Sequence, residues 1–231
     1  MFCAGEGRSP AAVIKCAADR KERAVTKLLD QHAPPQSPVK GAAIVLNLSP
    51  VVELTDDQFY DLCRANHELR FERTATGEIL IMPPTGTETG RRNFNLTYQL
   101  AKWVEQDGTG YGFDSSTAFK LPGGATRSPD ASWIVRERYD ALTDEEKEKF
   151  SPICPDFVAE LRSRTDALAE LQGKMEEYVA NGARLGWLID PLERKVYVYE
   201  PGAPVVVLES PEQVAGDPVL PGFTLRLAEI W

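Results

Sequence analysis

Histidine is nearly missing from this chain: His32 and His67 are the only two among 231 residues. A histidine-rich metal centre is therefore excluded. Any metal would have to be hard and oxygen-bound, magnesium or manganese before zinc. Cysteine is scarce as well. Cys3, Cys16, Cys63 and Cys154 are scattered and form no CxxC pair, which argues against a structural zinc site or a disulfide framework and fits a reducing cytoplasm. Long apolar runs are lacking too: AAIVL (Ala42 to Leu46) is far too short to cross a bilayer. No long apolar stretch follows Lys15 to Arg23, so the start does not read as a secretory signal. Basic charge is in deficit. A net charge of -9 weighs against broad, nonspecific nucleic-acid binding, although geometry can still focus a local basic cleft. Finally, LPGG (Leu121 to Gly124) lacks the lysine and serine or threonine of a phosphate loop, so adenine nucleotides are not implied.

What is present fits a globular protein: 42% hydrophobic residues and mixed charge over a length suited to one good-sized domain. The first forty residues stand apart, carrying +3 while the remainder carries -12, and APPQSP (Ala33 to Pro38) reads as a breaker-rich linker. Residues 1–45 are therefore expected to be an appended segment, partly helical (residues 11–31) or disordered, with a single domain over 46–231. Thr55, with Gln58 three positions on, should cap a helix whose apolar face holds Phe59, Leu62 and Cys63. LRFERTATGEILIMPP (Leu69 to Pro84) predicts two strands about a turn at Gly77. Gly86 to Gly108 predicts a helix with Phe94, Leu96, Leu100 and Trp103 or Val104 turned inward. A strand pair or long bent strand is expected over Tyr111 to Gly124, a solvated helix or loop over Asp140 to Phe150, and a helix near 167–181 ended by Asn181-Gly182. Strands dominate the remainder. This mixture predicts an α/β or α+β protein, with a mixed central sheet flanked by helices.

Two carboxylates interrupt the strand-like runs. In SPDASWIV (Ser128 to Val135), Asp130 stands at the mouth of an apolar stretch, its entry held by Pro129. In DFVAELR (Asp156 to Arg162), alternation puts Val158, Glu160 and Arg162 on one face and Phe157, Ala159 and Leu161 on the other. An ionised glutamate in such a strand needs a partner, or its pKa rises until it is neutral. Two readings stay open. Glu160 pairs with Arg162 or another arginine while Asp130 accepts backbone donors, or both acids converge on a divalent ion that orients water beside a phosphate. In ALAELQGKMEEYVANG (Ala167 to Gly182), Leu168, Leu171, Met175 and Val179 form the inward stripe. Lys174 and Tyr178, four apart, share a face at its margin. Lys174 is either a snorkelling surface lysine or, if the helix docks over the sheet, an ammonium within reach of Glu160. Gln172 is placed for outer-shell help at most. Arg127 and Lys120 border either a phosphate groove or a solvated turn, Asp190 reads as a turn acceptor, and Trp133 and Trp187 should be core.

A proline-aspartate pair, then glutamate-x-basic, then a helix with lysine four before tyrosine, resembles the PD-(D/E)XK nuclease superfamily. More narrowly, FERTATGEILIMPPTG, LPGGATRSPDASWIV, PDFVAELRSRTD, LQGKMEEYVANGARLGWLIDP and VYVYEPG resemble the Uma2 family of restriction-endonuclease-like proteins. The likeness runs from about Pro50 to Trp231. It implies a restriction-endonuclease-like core and Mg2+-dependent cleavage of DNA, with Mn2+ as substitute. The alternative is a non-catalytic DNA- or protein-binding module that kept the fold. It also implies a homodimer, a cytoplasmic location and a cyanobacterial source. Carried residue by residue, the pattern makes Asp130 and Glu160 metal ligands, adds the backbone carbonyl of Leu161, and offers Glu72 as the upstream acid. The usual lysine two beyond the glutamate is replaced by Arg162, which cannot lose its proton but could clamp phosphate. Lys174 is then the displaced catalytic lysine, at a helix position that other members fill with glutamine, and Arg162, Gln172 and Tyr178 are supporting residues.

Overall fold

The computed structural model describes residues 43–49 and 51–231. The expected helix over 11–31 and the linker Ala33 to Pro38 lie outside them, while strand β1 (Ile44–Leu46) straddles the expected boundary at residue 45.

Two sheets, one antiparallel and one mixed, carry the acid-bearing strands. The first is a five-stranded sheet in the order β1-β3-β2-β6-β5, built with β2 (Arg70–Arg73), β3 (Ile79–Met82), β5 (Phe119–Lys120) and β6 (Thr126–Arg127). Gly77, at φ 87°, makes the β2–β3 turn in the left-handed region that glycine alone enters freely. The second is a six-stranded sheet in the order β11-β10-β9-β8-β7-β4, from β4 (Gly110–Asp114), β7 (Ala131–Val135), β8 (Phe157–Leu161), β9 (Leu185–Asp190), β10 (Lys195–Tyr199) and β11 (Val206–Glu209). Within it β8 and β9 run parallel and the other neighbours antiparallel, so the sheet is mixed. A hairpin of β12 (Gln213–Ala215) and β13 (Thr224–Arg226) closes the chain.

Helices cover both faces of the six-stranded sheet. Helix α1 (Asp56–Ala65) begins at Thr55, whose Oγ1 accepts from the Gln58 N–H at 3.2 Å while Gln58 Oε1 accepts from the Thr55 N–H at 2.9 Å. This reciprocal cap satisfies two donors that a helix start leaves open. Helix α2 (Thr87–Asp107) lies on one face, with Leu96 and Leu100 packed among Trp133, Phe157, Leu161, Trp187 and the β12–β13 segment. Phe94 does not turn inward as expected. It is 70% exposed and stacks on Tyr98, because Leu96 and Leu100 define the buried direction and Phe94 falls on the opposite side of the turn. Short helices α3 (Arg136–Asp140) and α4 (Asp144–Glu148) follow, the latter capped by Thr143 and Glu146 in the same reciprocal way.

Helix α5 (Leu168–Ala180) covers the opposite face, where Met175 and Tyr178 meet Ile134, Val158 and Leu188. Gly186 makes this approach close: a Cβ there would stand 2.5 Å from Met175 Cε. Tyr178 is fully buried rather than marginal, so the stripe is centred nearer Met175–Tyr178 than the Leu168–Val179 spacing indicates. Among the described residues, no helix is long and apolar enough to cross a membrane.

Candidate active site

The two strand carboxylates are neighbours. Strands β7 and β8 pair Ala131 with Ala159, and one further step of that antiparallel register sets Asp130 opposite Glu160. Directly opposed residues project their side chains to the same face. Asp130 Oδ2 accepts from the Leu161 N–H at 2.8 Å, and Asn93 of α2 reaches its Oδ1 at 3.4 Å.

Helix α5 delivers the cation. Lys174 Nζ lies 2.8 Å from Glu160 Oε1 and 2.8 Å from Glu72 Oε1, so one ammonium joins β2, β8 and α5. One turn on, the Tyr178 hydroxyl donates to Glu160 Oε1 at 3.0 Å. Lys174 is therefore not a surface lysine. Glu72 is held further by the Ser128 N–H at 3.0 Å and by Arg127 Nη1 at 3.1 Å, and Arg127 Nε pairs with Glu177 at 2.6 Å. Arg127 thus ends in an ion-pair network rather than a solvated turn.

Burial sets the electrostatics. Glu160 is pushed up to about 7, first by burial and then by Asp130 and Glu72, with Lys174 opposing. Burial likewise raises Asp130 above the usual carboxylate range, against the Leu161 N–H and Lys174. For Glu72, burial pushes up, but Lys174 and Arg127 outweigh it and keep the carboxyl below its ordinary value. Burial alone would lower Lys174; the two glutamates override it, so the amine is held above the ordinary lysine value and stays an ammonium. Tyr178 is raised by burial and by Glu160, which keeps it a phenol able to donate.

The donor set suits a hard divalent cation. Glu72, Asp130, Glu160 and Glu177 face Lys174 and Arg127, so acids outnumber bases by two in a buried cluster. The Asn93 carboxamide turns its NH2 toward Asp130, while its Oδ1 is buried and has no donor among the described residues. A buried acceptor of this kind ordinarily finds a partner. Among the described residues, no group of three or more His, Cys, Asp and Glu is arranged to hold a metal. The oxygens gathered here, from carboxylates and a carboxamide, are hard donors of the kind that magnesium and manganese take.

A family model described as "Putative restriction endonuclease", Uma2, matches residues 56–228. The chain belongs to the Uma2 family. The Uma2 match contains every residue of the acid–lysine cluster, from Glu72 to Tyr178. Among solved structures, the chain is similar to one titled "a putative nuclease belonging to DUF820" from Anabaena variabilis ATCC 29413. The two share 21% identity over 77% of this chain and 97% of that one, with a TM-score of 0.65. This likeness shows the shared fold. No curated protein matches the chain.

The residues singled out in the sequence divide into two groups. Asp130, Glu160, Lys174, Tyr178 and Glu72 come together, and Leu161 joins through its backbone. Arg162 stands apart: its Nη1 pairs with Asp190 at 2.7 Å, so its charge is engaged there and not by Glu160. Asp190 also accepts from the Leu192 and Glu193 N–H groups at 3.0 and 3.3 Å, as a turn acceptor should. Gln172 is half-buried and makes no side-chain hydrogen bond among the described residues. Asn93 and Glu177 were missed. Glu177 lies three residues beyond Lys174 on the same helical side and was legible in principle. Asn93 was not, because Asp130 reaches it only through the packing of α2 against β7.

Proposed function

We propose that this protein hydrolyses phosphodiester bonds of DNA, using magnesium or manganese held by Asp130 and Glu160. The observation that carries this reading is the position of Lys174, whose ammonium shares the Glu160 carboxylate at 2.8 Å beside an acid pair on facing strand positions. The Leu161 carbonyl, next along the strand from Glu160, is the neutral oxygen offered to complete the shell. When bound, the ion supplies Lewis-acid stabilisation and makes water a stronger nucleophile at neutral pH.

The chain's own groups do the rest. Lys174 remains protonated, so it serves as a donor to charge growing on the phosphate oxygens and not as a base. Tyr178 fixes the orientation of Glu160 through its hydroxyl. Arg127 keeps Glu72 ionised, and Glu72 in turn keeps Lys174 charged and aimed. Burial pushes Glu160 up to about 7, so holding a cation there would require the ionised form of this carboxyl.

Cleavage of supercoiled plasmid with Mn2+ tests this. Wild type should nick it, E160Q should not, K174M should nick it far more slowly, and cutting by all three at the wild-type rate would refute the assignment.

One observation favours a second reading, a DNA- or protein-binding module without catalysis. Lys174 already neutralises Glu160, as a bound cation would. A wild type that binds neither Mn2+ nor Mg2+ in calorimetry would select it.

A further inference from the structure

We propose that an arginine-lined cleft beside the acid–lysine cluster is a subsite for the phosphodiester backbone, an inference that rests on the DNA reading above. The cleft, of about 490 Å3, is lined by Arg92, Arg164, Pro191 and Leu192. Its position follows from the topology. Arg164 comes three residues after the end of β8, and Pro191 immediately follows β9. The two are the parallel pair of the sheet, and crevices at the carboxyl ends of parallel strands are where α/β sheets bind ligands. Arg92 approaches from α2, one residue before the Asn93 that contacts Asp130.

The charges are poised for an anion. The Arg92 side chain is largely sequestered, and its Nε is buried with no acceptor among the described residues. Among the described residues its one carboxylate contact, Glu88 at 3.3 Å, is shared with Arg91, which binds the same group at 2.9 and 3.2 Å. Arg164 is exposed and, among the described residues, pairs with no carboxylate, whereas Arg162 two positions earlier is committed to Asp190. Guanidinium groups match phosphate oxygens with a fork of parallel donors. In a protein of net charge -9, such a spot selects where a polyanion can dock. A strand passing over the cleft would continue past Asn93 and Asp130 toward the Glu160–Lys174 pair. The subsite thus addresses a phosphate of the same strand as the one attacked.

The test is binding of a fluorescein-labelled DNA duplex of about 20 base pairs in EDTA, followed by anisotropy across a sodium chloride series. Each phosphate contact contributes about 0.9 to the slope of log affinity against log salt. R164Q should lower that slope by about one and weaken binding severalfold. R92Q/R164Q should lower it by about two, and R92K should restore Arg92's share of the slope. Because Arg164 is exposed, R164Q alone keeps the test valid if the Arg92 variants misfold. An unchanged slope in R164Q, or a wild type that does not bind the duplex, overturns the subsite. Inorganic phosphate that binds as tightly as the duplex would overturn it too, marking a free-anion site. Loss of plasmid cleavage by wild type with an intact slope effect would sink the hydrolytic reading and leave this one standing.

Discussion

Lys174 Nζ lies 2.8 Å from Glu160 Oε1, although one residue rides on helix α5 and the other on strand β8. That contact converts an unusual buried glutamate into half of a pair, and it makes Lys174 the first residue to change. K174M keeps the length of the side chain and removes the charge. It should lower plasmid-cleavage turnover by about 100-fold, the scale of losing one donor aimed at developing negative charge. Divalent-ion affinity should hold or rise, since the ammonium and the ion compete for Glu160. Single-turnover kinetics alongside calorimetry separates the two, and full turnover in K174M would remove Lys174 from the mechanism.

D130A and E160Q should each abolish measurable Mn2+ binding while leaving the far-ultraviolet circular dichroism unchanged. Calorimetric titration checks this. Binding that persists in both variants would place the ion elsewhere.

The pH dependence of stability should differ between wild type and E160Q. The folded protein raises Glu160 from an ordinary value of 4.5 to about 7, so folding favours its protonated form. Its favourable contribution is complete below about pH 4.5 and is lost as the pH rises through 7. E160Q cannot titrate. Relative to wild type it should therefore gain in melting temperature between pH 5 and pH 8, and a constant difference across that window would contradict the assignment.

Divalent-ion affinity should climb over the same range. Below pH 7 the ion must displace a proton from Glu160, so Mn2+ titrations in buffers of different ionisation heat should report proton release at pH 6 and little at pH 8.5. No buffer dependence at pH 6 would count against Glu160 as a ligand.

R127M should destabilise the fold by about 3 kcal/mol, since removing one partner from a buried network strands the others. Glu72 and Glu177 would both lose their guanidinium. The urea midpoint should fall with little change in slope, and an unshifted midpoint would show that water replaces Arg127 without cost.

Much of the fold was legible locally because its signals are local. The Thr55–Gln58 cap, the Gly77 turn, the Asn181-Gly182 stop and the alternation in FVAEL each depend on neighbours a few residues away, and the structure bears these out. Phe94 and Tyr178 were misplaced because periodicity gives the angle of an apolar face only coarsely. Which residue at its edge is covered depends on what packs there: Leu96 and Leu100 already fill the α2 interface, while Gly186 opens room for α5.

By itself, the sequence determined the chemical vocabulary of this protein: two histidines in all, two carboxylates set in strand-like apolar runs, and a lysine four residues before a tyrosine on a helix. The tertiary structure alone decided who meets whom. Arginine stands two residues from Glu160, just past the end of the same strand, yet it pairs with Asp190, and the glutamate's partner comes from α5. Ion pairs in a low-dielectric interior form between groups that share a space, and sheet register and helix docking, not distance along the chain, create that space.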